Sequence, residues 1–265
     1  MSVTIETGFT GTTYGLDNPR IGWRRLTGTL AATASEPGYP AVNANTPRTD
    51  TFWKPSAFPG IWELTFPVSQ NVSYIGIASH TLATNGCTVA AQTWNGSTWV
   101  PRATQKPTDN GPIFFLFSRT SITKARIVIT GAAGFPLVGV VFVGDVTEWP
   151  RKATYAPSVS FERAKVTEYS TNATEGGQWA GRTIQRRMTQ PRMTVDHLSE
   201  AWVASEFDAF AAYAETSPFF IADKPLSYPN SVAYAWAAGD LVPERAIANS
   251  DISNSVTLEL MGLRV

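Results

Sequence analysis

Ala34 to Phe66 reads ASEPGYPAVNANTPRTDTFWKPSAFPGIWELTF, and this stretch decides the fold class. Small residues lead into a Tyr39-Pro40-Ala41 turn that closes on Asn43. A polar loop then runs to Phe52-Trp53. From Trp62 to Phe66 large and polar residues alternate, the period-2 signature of a half-buried strand.

Outward from that stretch, short apolar runs between turn signals predict an all-β arrangement to about residue 149. Val72–Ala78, Cys87–Trp94, Trp99-Val100, Ile113–Phe117, Ala125–Thr130 and Leu137–Val143 are its strands. Asn95-Gly96 predicts a hairpin turn, because glycine accepts positive φ without steric cost. The order of these pieces resembles a discoidin-like (galactose-binding-like) jelly roll. The carriers are the YPA-x-N turn, the loop closing on Trp53, the Trp94-Asn95-Gly96-Ser97-Thr98-Trp99 hairpin, and an apolar strand ending at Gly144. The resemblance implies a β-sandwich module that binds rather than catalyses.

Asp145 to Pro157 (DVTEWPRKATYAP) is charged and turn-prone and marks a boundary, so the chain divides into residues 1–149 and 150–265. Residues 158–194 read as a long hairpin arm with a polar, glycine-rich tip at Ser170–Gly177. Leu198, Trp202, Phe207, Phe210 and Tyr213 recur near helical spacing, predicting one amphipathic helix over about 197–215, capped by Asp196 or Ser199. Ser217-Pro218 stops it. Phe219–Ile221, Val232–Ala237 and Ser255–Leu263 are further strands. The fold class expected is therefore mainly β: a jelly-roll sandwich followed by a barrel-like domain with a long hairpin and one helix. The second half resembles the split-barrel module of tail-tip and distal-tail proteins of long-tailed bacteriophages, through its arm, its helix, Pro218-Phe219-Phe220, Tyr228-Pro229 and the closing VTLEL strand. That resemblance implies self-association into a ring continuous with the tail tube.

Composition bounds the function classes. Of 265 residues, 43% are hydrophobic and 12% aromatic, enough for an extensive core. Formal net charge is zero, which argues against a protein whose main task is holding polyphosphate. The single cysteine, Cys87, excludes an intrachain disulfide framework. The N-terminus shows no basic and apolar leader pattern, and Phe135–Val143 is too short to span a bilayer, so the expectation is synthesis in a host bacterial cytoplasm without membrane insertion. No metal-ligand spacing surrounds His80 or His197, and no nucleophile elbow or phosphate loop is present. His80 reads as a loop or rim residue, and His197 as a residue at the helix start. The expectation is no enzyme, no cofactor and no nucleic-acid partner.

Two sets of candidate contacts remain. Trp53, Trp94 and Trp99 are the candidate glycan contacts, since indole faces stack on sugar rings. The structural reading is favoured over this one: Trp53 and Trp62 fit a sandwich core, and Trp94 with Trp99 fits a cross-strand pair that pins register. Arg182, Arg186, Arg187 and Arg192 line the return arm of the hairpin. Arg182 and Arg186 share parity and are expected on one face, where guanidinium groups could meet carboxylates of a neighbouring subunit. The functional expectation is a non-catalytic tail-tip or baseplate protein in the virion. It would form a homo-oligomeric ring and link tail tube to tip proteins. The alternative is a module recognising host-surface glycan.

Overall fold

The computed structural model describes residues 2–9, 13–131, 134–154, 161, 164–248 and 251–263. The sixteen strands among the described residues are taken in two groups in chain order. The first comprises β1 (Ser2–Ile5), β2 (Arg20–Gly22), β3 (Thr29–Ala32), β4 (Gly60–His80), β5 (Thr88–Trp94), β6 (Trp99–Gln105), β7 (Ile113–Thr130), β8 (Val138–Gly144) and β9 (Thr147–Glu148). The second comprises β10 (Lys165–Ala173), β11 (Trp179–Thr189), β12 (Arg192–Leu198), β13 (Phe219–Ala222), β14 (Val232–Ala237), β15 (Glu244–Ala248) and β16 (Asp251–Leu263). One helix, α1, lies between β12 and β13. It joins Glu200–Trp202, a π-helical turn Val203–Phe207, and Asp208–Ala214.

The fold is mainly β, with an N-terminal β-sandwich, as its alternating segments predict. Its strands are longer than expected. Trp62–Phe66 and Val72–Ala78 belong to one strand, β4, while Ile113–Phe117 and Ala125–Thr130 belong to β7. Between them Gln70–Val72 pairs with Thr120–Ile122, so the chain bends through a register shift instead of turning. Strands that bend in this way can serve both layers of a sandwich. The first half of β4 pairs with β3 and its second half with β8, whereas the first half of β7 pairs with β1, in parallel, and its second half with β5. Trp62, Leu64, Ile75, Ile77, Phe115, Phe117, Ile127 and Val141 meet in the core between the layers.

The opening stretch caps this core. Trp53 exchanges backbone hydrogen bonds with Val138, and its indole N–H donates to Ser35 Oγ at 3.1 Å. Trp62 donates from its indole to the Ala41 carbonyl at 3.1 Å. Both rings are fully buried.

The layer formed by β1, β7, β4 and β8 is buried on both faces, which is why IFFLF and VGVVFVG read as continuous apolar runs. Its outer face carries Tyr74, Phe114, Val140 and Phe142, packed against Phe220, Val232 and Tyr234 of β13 and β14. Phe220 lies at its centre: stacked on Phe114 at 5.9 Å, edge-on to Phe142 at 5.5 Å, and tilted against Tyr234 at 4.8 Å. The other face of β13 and β14 meets α1: Phe219, Ile221 and Ala235 join Trp202, Phe207 and Phe210. β2 and β9 also belong to this second sheet, β2 pairing with β13 and β9 with β2. The N-terminal segment thus contributes strands to both sheets.

The helix begins after Ser199, whose Oγ accepts from the Trp202 amide at 3.3 Å, so Ser199 is its cap. Asp196 instead accepts from Ser255 Oγ. Residues 196–198 are strand, with His197 at φ 59°, which corrects the expected helix start at 197. Of the expected hairpin 158–194, residues 158–160 and 162–163 lie outside the described residues. The described arm is β10 and β11, and β12 is a separate strand paired with β16.

Gly76 allows Phe220 to reach the sandwich. A Cβ at Gly76 would lie 2.7 Å from the Phe220 ring, well inside contact distance. Gly76→Ala is therefore expected to destabilise the whole chain by about 1–3 kcal/mol through overpacking. Thermal or urea denaturation checks this, and an unchanged midpoint would contradict the packing account.

Candidate functional site

The candidate residues fall in three places. Trp53 is buried at the sandwich cap and presents no ring face outward. That corrects its place among the glycan contacts: the loop closes on Trp53 because its ring fills the cap of the core.

Trp94 and Trp99 sit on the outer face of the sandwich, directly opposite one another across β5 and β6. Their rings meet edge to face at 5.4 Å and 62°. Asn95 shapes the turn between them, its Oδ1 accepting from the amides of Ser97 and Thr98, while Gly96 takes φ 102°. Cations cover the rings: the Arg126 guanidinium lies 4.0 Å from the Trp99 centroid and Lys124 Nζ 5.8 Å from that of Trp94. Arg126 also donates to Gln92 Oε1 at 2.8 Å, and Lys124 pairs with Glu63 at 3.5 Å. Both tryptophans are half-buried. The pair pins register, and the same patch of indole, amide and charge presents groups able to hydrogen-bond hydroxyls.

The arginines are on the arm and at its foot. The register corrects the expectation that Arg182 and Arg186 share a face. Tyr169 opposes Ile184 while Glu168 opposes Arg186, so Gln185 is bulged out. An extra residue inverts the alternation beyond it. Arg186 pairs with Glu168 at 2.7 Å on one face. Arg182 lies over the Tyr169 ring on the other, 3.2 Å from its centroid. Arg187 shares the face of Arg182. Arg192 stands in β12 and pairs with Glu259 at 3.5 Å.

A cleft of about 370 Å³ at the junction of the two sheets was not marked by any motif. Ion pairs line it: Arg24 with Glu206 at 2.8 Å and Arg119 with Asp145 at 2.8 Å. Asp145 also accepts from Ser73 Oγ at 2.7 Å, and Glu148 accepts from the amides of Thr13 and Tyr14. Glu206 belongs to the π-helical turn. These partners come from segments distant in sequence, so no spacing could have announced them. The carboxylates are held by cations, hydroxyls and amides, an arrangement that joins segments.

Among the described residues no group of three or more His, Cys, Asp or Glu could hold a metal ion, and no helix is long and apolar enough to cross a membrane. Two of the buried ionisable groups, His80 and Asp223, are shifted toward mildly acid pH. His80 is buried within β4, not at the rim as expected, because Gly111 and the Leu82 amide fold over it. Its Nε2 bonds the Gly111 carbonyl at 2.9 Å and its Nδ1 accepts from the Leu82 amide at 3.3 Å. Burial pushes the imidazole down to about 4, against 6.5 ordinarily. Asp223, at the end of β13, has an Oδ1 without a hydrogen-bond partner among the described residues, and burial pushes its carboxyl up to about 6.

These two groups act oppositely on stability. Between about 6.5 and 4 the unfolded chain protonates at His80 and the folded chain does not, so His80 removes stability as pH falls through that window. Between 3.8 and about 6 the folded chain retains the Asp223 proton longer, so Asp223 removes stability as pH rises. The difference between native protein and His80→Gln isolates the first effect. It is expected to narrow by about 2–3 kcal/mol from pH 7 to pH 4, read by urea denaturation. Parallel pH curves would contradict the buried neutral imidazole.

No protein-family model matches the chain, and no curated protein matches it. Solved structures with a similar fold include carbohydrate-binding modules of the galactose-binding-like β-sandwich type. The family 32 module from C. perfringens NanJ, in complex with galactose, is 19% identical with a TM-score of 0.41, and the match covers 48% of this chain and 99% of that one. Chitosan-binding module 1 from a chitosanase/glucanase of Paenibacillus sp. IK-5 is 19% identical with a TM-score of 0.39, covering 45% and 96%. A pectin-binding carbohydrate-binding module is 13% identical with a TM-score of 0.39, covering 45% and 91%.

Proposed function

We propose that this chain is a non-catalytic structural component of a phage tail tip or baseplate. It forms a homo-oligomeric ring through its hairpin arm and links the tail tube to tip proteins in the virion. The observation that carries self-association is the arm itself. From Tyr169 to Arg187 nearly every residue is exposed, and Trp179 is 78% accessible. A lone two-stranded ribbon is only marginally stable in water, and its outer edge offers unpaired backbone groups to another chain. A ring of like subunits covers such an arm by handing it to the next copy. The tail-tip setting rests on the resemblance of the arm, helix and closing strand to the split-barrel module described above.

The half-buried Trp94–Trp99 pair, on the outer face of the sandwich, favours a second reading, in which the sandwich recognises host-surface glycan. A glycan array probed with the native protein and with Trp94→Ala and Trp99→Ala tests it. Binding that both variants abolish supports this reading, and no binding by the native protein removes it.

For the leading proposal, residues 170–183 are replaced by a tight turn that joins Tyr169 to Ile184. The expected result is a shift from oligomeric to monomeric mass in light scattering with little change in the thermal midpoint. A variant that retains the oligomeric mass would overturn the arm as the assembly element.

A further inference from the structure

Two bulges, at Gln185 and at Ala180, give the arm two unlike faces. One carries Val166, Glu168, Ser170 and Asn172 opposite Met188, Arg186, Thr183 and Gly181, with its charges paired. The other carries Lys165, Tyr169, Trp179, Arg182, Ile184 and Arg187. All three large exposed hydrophobics of the arm lie on that second face: Tyr169 and Ile184 at 43% accessible and Trp179 at 78%. It has three cations and no carboxylate. Aromatic residues and arginine are the types enriched at the anchors of interfaces.

A complementary surface exists on the same chain. After β14 the chain turns outward and forms a groove of about 280 Å³. Asp240, Glu244 and Glu259 line it with Leu241 and Val242, and Arg192 is the one cation in its lining. Val242 is 65% accessible. The groove lies at the foot of the arm, since β16 pairs with β11 at Met188 and Thr189 and carries Glu259 a few residues earlier. Trp179 lies ten residues along β11 from Thr189, about 30 Å at the strand rise of ~3.3 Å per residue. The tip therefore stands beyond reach of its own groove.

We propose that the cationic aromatic face of the arm docks into the acidic groove of a second copy of this chain. Arg182 and Arg187 meet Asp240 and Glu244, Glu259 being paired with Arg192, while Trp179 and Tyr169 cover Leu241 and Val242. The contact joins two different surfaces, so it is head-to-tail, the type that closes into a ring. This inference rests on the self-association proposed above and names the surface that receives the arm.

Sedimentation of the full chain across protein concentration tests it. Arg182→Glu with Arg187→Glu, and separately Asp240→Arg with Glu244→Arg, should each weaken self-association by on the order of tenfold or more, with unchanged circular dichroism. The chain carrying all four reversals restores opposite charge and should recover association. If the groove reversal leaves association unchanged while the arm reversal weakens it, the groove assignment falls and self-association through the arm stands. If the fourfold variant stays as weak as the others, the pairing of these two surfaces falls. A native chain that remains monomeric at every concentration removes both this inference and the ring.

Discussion

The contact of Phe220 with the outer face of the sandwich organises the molecule. Its ring can approach only because Gly76 has no side chain, and it is enclosed by Phe114, Phe142 and Tyr234. Tyr234 in turn donates its hydroxyl to the Pro47 carbonyl at 2.7 Å, which ties the loop of the opening stretch to the second sheet. β13 thus has both faces buried, Phe220 toward the sandwich and Phe219 with Ile221 toward the helix. Loss of that contact would expose two aromatic layers at once, so the two sheets are expected to unfold together.

Against this rigid body the arm is the exception. Most other long strands have at least one face against a core, whereas among the described residues β10 and the distal part of β11 pair with each other and carry mostly exposed side chains. A ribbon with paired charges on one face and cations with aromatics on the other has the composition of a contact surface. Its two-sidedness follows from two bulged residues, Gln185 and Ala180, and bulges often re-aim side chains where function requires it.

Several of these features were legible in the residues. Alternation at Trp62–Phe66 located the sandwich. The Trp94–Trp99 spacing located a hairpin, and helical recurrence from Trp202 to Tyr213 located α1. Local periodicity could not show that β4 and β7 each run through a bend, because residues at the bend remain extended and merely shift register. Nor could it show the bulge at Gln185: parity counting placed Arg182 with Arg186, and one unpaired residue separates them. His80 was misplaced because its burial depends on Gly111, 31 residues away. β2 and β9 are too short to signal that they join the second sheet. The Arg24–Glu206 and Arg119–Asp145 pairs are tertiary accidents of sequence, visible only once the chain is folded.

Hydrogen exchange along the arm, followed against protein concentration, tests the central claim most directly. If copies cover one another's arms, amides of β10 and β11 should gain protection as concentration rises, in step with the oligomeric mass, while those of β4 and β7 stay protected throughout. Arm amides that exchange at one rate at every concentration would contradict the account.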